Sequence, residues 1–90
     1  MDNFAYPIND AWTMDETILV VEYLAAVEKA YEKGIDAKDF EKHYKAFKSV
    51  VTSIAEEKRI DKAFQQASGY SLYKANQALK TQGQKLIRLG

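Results

Sequence analysis

The stretch "WTMDETILVVEYLAAVEKAYEKGI", residues 12–35, decides the fold. Thr13 stands three residues before Glu16, the spacing of a capping box, in which the hydroxyl accepts from the Glu16 backbone N–H and the carboxylate accepts from the Thr13 N–H. A helix therefore starts at Met14. Asp15 and Glu16 sit at the positive end of its dipole, Lys29 and Lys33 at the negative end, and Gly34 supplies a left-handed stop. At 100° per residue, Leu19, Val20, Tyr23, Leu24, Ala26, Val27, Ala30 and Tyr31 share one broad apolar face. Such a helix has to lie at the centre of a core. Ile18, Val21 and Ala25 form a second apolar strip, for which the preceding arm with Phe4, Tyr6, Ile8 and Trp12 is the expected cover. Pro7 keeps that arm out of helix.

The rest of the chain extends the helical pattern. Asp36 can cap a second helix, and Phe40, Tyr44, Phe47, Val51 and Ile54 recur at steps of four and three residues. Ser53 followed by Glu56 repeats the capping-box signature and predicts a break and a third helix, with Ile60, Ala63, Phe64 and Ala67 inward and a stop at Gly69. Ser71 can cap a fourth, with Leu72, Ala75, Ala78 and Leu79 inward and Tyr70 packing back over its first turn. The tail "QKLIRLG" is short and terminal, expected to fray or dock weakly. No segment alternates as a strand would. The expectation is an all-α fold, a compact array of four helices with a packed N-terminal aromatic arm. It forms a single domain over 1–90, with the arm at 1–12, helices at about 14–33, 37–51, 54–67 and 72–82, and the tail at 84–90.

Ninety residues with 47% hydrophobic content, four Gly and one Pro suit one modest globular core. Without cysteine, disulfide frameworks, thiolate metal sites and thiol nucleophiles are excluded, and a reducing cytoplasm is the expected setting. The opening residues lack the pattern of a secretory signal, and no apolar run is long enough to span a bilayer, so no membrane association is expected. The net charge is zero but unevenly laid out. Residues 1–28 carry six acids and no base, whereas residues 62–90 carry five bases (Lys62, Lys74, Lys80, Lys85, Arg88) and no acid. Either the two ends are merely solvated or close in space, or one of them is a contact surface.

The segments "FAYPINDAWTMDETILVVEYLAAVEKAYEKGI" and "AEEKRIDKAFQQASGYSLYKANQALK" resemble a family of small proteins from Bacillus-like Gram-positive bacteria, the uncharacterised protein family number two-two-three. The most specific pieces are the "YP" and "W" of the arm, "VEKAYEKGI" and "SGYSLYKA". The family pattern places a proline where this chain has Thr52, so the break before the third helix is less firmly signalled here. The resemblance implies an all-helical fold and a cytoplasmic protein, and it carries no activity from which a catalytic residue could be transferred.

Residue chemistry points the same way. Asp39 and His43 are four apart on one helix face, but no nucleophile is marked near them. The single histidine and sparse carboxylates make no metal site, and four isolated glycines make no phosphate-cradling loop. No enzyme, cofactor or metal is expected. The candidate partner-binding residues are Tyr70, Tyr73, Lys74, Asn76 and Lys80 on the fourth helix. The pattern leaves open whether the two tyrosines are core or surface. A protein partner is the first expectation, for a monomer or weak homodimer. The alternative is a weak nucleic-acid binder in which helices three and four imitate a helix-turn-helix, although four bases spread from 74 to 88 are thin for that task.

Overall fold

The computed structural model describes residues 9–81 and 85–89. Four helices, α1 (Met14–Glu32), α2 (Ala37–Val50), α3 (Ile54–Ser68) and α4 (Leu72–Thr81), carry the fold. Two two-residue strands, β1 (Ile35–Asp36) and β2 (Leu86–Ile87), pair antiparallel, with Ile35 opposite Ile87. The architecture is the all-α array of four helices.

Local chemistry fixes each start and stop. Glu16 N–H donates to Thr13 Oγ1 at 3.1 Å and Thr13 N–H to Glu16 Oε1 at 2.9 Å, completing the capping box of α1. At its other end Gly34 takes φ +97°, and its N–H donates to the Lys29 carbonyl at 2.7 Å. A Cβ at Gly34 would also lie 3.3 Å from Leu86 Cδ2, a tight contact added to the left-handed φ. The chain leaves helix over residues 51–53, and Ser53 caps α3 by accepting from Glu56 N–H. Gly69, at φ +82°, ends α3 in the left-handed region.

Tyr23 is the hub of the core. Its ring stacks on Phe47 at 4.4 Å between centroids and meets Phe40 and Tyr44 at 5.6 and 5.9 Å, tying α1 to α2. Val20, Leu24, Val27 and Ala30 bury the rest of the α1 face against Phe64, Leu72, Ala75 and their neighbours. Burial holds the Tyr23 hydroxyl far above the ordinary phenol range, so it stays a protonated donor.

Four sequence expectations are corrected or sharpened. Ile54 does not continue the inward stripe of α2: the break at 51–53 makes it the first residue of a new helix, and it stands 68% exposed. Ala67 is exposed: the buried face of α3 ends at Phe64, and Ala67 falls in the last turn before the glycine stop. Tyr70 is directed to α1, where its ring stacks on Tyr31 with centroids 4.4 Å apart. The tail, expected to fray or dock weakly, is built into the core over its described residues 85–89. It adds a strand, burying Ile87, and Leu89 N–H donates to the Ala30 carbonyl at 2.9 Å. Ile18 in the second strip of α1 is 47% exposed. The covering role of Phe4, Tyr6 and Ile8 lies outside the described residues, while Trp12 is half-buried against the core.

Candidate functional site

The approach to α4 is held by side chains from two other helices. Asp61 of α3 accepts from Leu72 N–H at 2.9 Å, and Ser71 Oγ accepts from Lys74 N–H, so two of the free N–H groups at the start of α4 are satisfied. Ser71 N–H donates to Tyr31 Oη of α1 at 3.2 Å, and the Tyr70 hydroxyl donates to Glu32 Oε2 at 3.0 Å. The α3–α4 turn is therefore clamped to the end of α1.

This clamp divides the five candidate residues. Tyr70 is committed to Tyr31 and Glu32. Asn76 is committed to the core, because its Oδ1 accepts from the buried Tyr23 hydroxyl at 2.7 Å. Tyr73, Lys74 and Lys80 are exposed. Tyr73 is 64% exposed, and its hydroxyl accepts from Gln77 Nε2 one turn on. It stands beside Ile54 on a shallow depression of about 170 Å³, with Leu72 and Asn76 at its floor and Glu57, Lys58 and Asp61 around it. Two large apolar side chains, both mostly in water, thus flank a floor that leads directly into the core.

The acids of this depression are already engaged. Glu57 pairs with Lys48 of α2, and Asp61 holds the start of α4. Lys80 lies apart from Tyr73, on a second groove between α2 and α4. A third and larger depression, about 480 Å³, runs between Trp12 and α3, where Glu56 accepts from Asn9 Nδ2 and Arg59.

His43 and Asp39 line a depression with Glu22 and Lys29, but no ion pair joins them among the described residues. No group of three or more potential metal ligands occurs among the described residues. None of the described helices is long and apolar enough to cross a membrane.

Over residues 3–88 the chain matches the model of a family described as "Uncharacterised protein family (UPF0223)". The chain belongs to this family. It is 46% identical over 86 residues to a UPF0223 protein of Listeria monocytogenes serotype 4a and to another of Listeria welshimeri, with 96% of each chain covered. A UPF0223 protein of Streptococcus thermophilus is 44% identical over 88 residues, covering 98% of this chain and 95% of that relative. The UPF0223 match takes in all four helices, both strands and every residue lining the two α4 grooves.

Sequence reasoning missed Ile54 as a surface residue of this UPF0223 chain. The signal was present: Ser53 as the cap makes Ile54 the first helical residue, where a side chain points away from the packed stripe of the preceding helix.

Proposed function

We propose that this UPF0223 chain is a non-enzymatic protein-interaction or regulatory module that docks a protein partner on the α3–α4 face, with Tyr73 as anchor. The observation that carries this reading is the pairing of Tyr73 and Ile54, 64% and 68% exposed, over the buried Leu72. Aromatic side chains beside an apolar floor are the usual anchors of protein interfaces, since they bury much area at little entropic cost. Lys74 borders the anchor and supplies orientation through charge. The proposed setting is the cytoplasm, in keeping with a chain that uses no cysteine, and the acting form is a monomer or weak homodimer.

Binding of nucleic acid at the same face is disfavoured by Glu57 and Asp61, which line the depression beside Tyr73. Affinity capture from a Gram-positive lysate, with and without nuclease, tests the choice. A protein retained through nuclease and lost with Tyr73→Ala supports the reading. Recovery that disappears with nuclease overturns it.

A further inference from the structure

The groove between α2 and α4 lies apart from Tyr73. Ala37, Tyr44 and Leu79, all partly buried against the core, form its apolar floor, and Lys38, Lys45, Lys80 and Glu41 form its rim. Its volume of about 380 Å³ is in the range of sites that hold a side chain or a short segment. Glu41 approaches Lys45 at 3.8 Å, with both side chains at least half exposed, so that pair is loose. Among the described residues Lys38 and Lys80 make no ion pair. The charge extends beyond the rim. Lys42 follows Lys38 one turn along α2, and the Lys85 carbonyl accepts from Ala37 N–H at 2.6 Å, which brings exposed Lys85 to the same end. Against these five lysines stand Glu41, Asp36 and Asp39; the Asp36 carboxylate accepts from Lys38 N–H at 2.8 Å, and Asp39 lines the neighbouring depression with His43.

We infer that this groove receives an acidic protein segment carrying an apolar anchor residue. The lysines that lack partners select negative charge, and the floor of Ala37, Tyr44 and Leu79 rewards burial of an apolar side chain, which a phosphate backbone does not offer. The sequence read from one end to the other hides this site, because Lys38 and Lys80 are far apart in the chain and meet only when α4 packs across α2.

This assignment is independent of the Tyr73 surface and is tested separately. The intact, isotope-labelled chain is titrated with a synthetic amphipathic peptide of glutamate and leucine, and backbone amide shifts are followed by NMR. Saturable shifts are expected at Lys38, Lys45, Leu79 and Lys80. The double variant Lys38→Glu, Lys80→Glu weakens binding by roughly tenfold or more, as does replacing the peptide's leucines with serine, and Tyr73→Ala changes neither. The amide spectrum of each variant reports at once whether it is folded. Absence of localised shifts up to about 1 mM peptide overturns the inference. So does tighter binding of oligothymidylate in the same groove, or occupation of the groove by a second copy of the chain, seen as self-association lost with Lys80→Glu.

Discussion

The hydrogen bond from Tyr23 to Asn76 predicts an asymmetry between two conservative substitutions. Tyr23 is fully buried and its hydroxyl donates at 2.7 Å to the amide oxygen of Asn76, which is itself only half-buried. Tyr23→Phe removes the donor and leaves Asn76 able to turn to water, so it costs the net value of one hydrogen bond, about 0.5–1.5 kcal/mol. Asn76→Leu removes the acceptor and strands a hydroxyl that no water reaches, a desolvation penalty of about 1–3 kcal/mol. The double variant strands nothing and falls well short of the sum, with a coupling energy of about 1 kcal/mol or more. For a domain whose total stability is on the order of 5–15 kcal/mol these differences are resolved by equilibrium urea unfolding at unchanged slope. If Asn76→Leu proved no worse than Tyr23→Phe, or if the two simply added, the claim that Asn76 serves the core rather than a partner would fall.

Further outcomes follow from the same packing. Gly34→Ala forces a side chain into φ +97° and against Leu86, and is expected to cost at least about 1 kcal/mol in unfolding free energy. Phe47→Ala removes the ring stacked on Tyr23 and should cost about 3–5 kcal/mol, seen as a large fall in the urea midpoint followed by circular dichroism. Because burial raises the Tyr23 phenol above its unfolded value near 10, the group favours the folded state at lower pH, and that contribution is lost progressively as pH rises above about 10. Tyrosinate absorbance of the parent chain and of Tyr23→Phe should therefore coincide up to the alkaline unfolding transition, and a difference before it would show Tyr23 ionising in the folded protein. Ile54→Asp and Tyr73→Ala are expected to leave stability within about 0.5 kcal/mol of the parent, since both side chains lie mostly in water.

The helices were legible because their ends are written locally. The Thr13 and Glu16 exchange, the Ser53 cap and the two left-handed glycines each involve residues a few positions apart, and the structure uses all of them. Periodicity alone misled where a cap should have overruled it: the stripe from Phe40 to Val51 runs on arithmetically to Ile54, although the helix has already ended. The β1–β2 pair could not be seen, because two residues carry no period and the pairing joins Ile35 to Ile87 across most of the chain. The candidate residues on and just before α4 divided for the same reason. Tyr70 and Asn76 find their partners on α1, thirty-eight and fifty-three positions away, whereas the exposure of Tyr73 and Lys74 needs no partner at all.

The central claim, that Tyr73 and Ile54 form a protein-docking face, is tested most directly by measuring recovery of captured protein from nuclease-treated lysate with the parent chain, Tyr73→Ala and Ile54→Asp side by side. A defined protein bound by the parent and lost with both variants, each of which remains folded, is the expected result. Equal recovery by all three would contradict it.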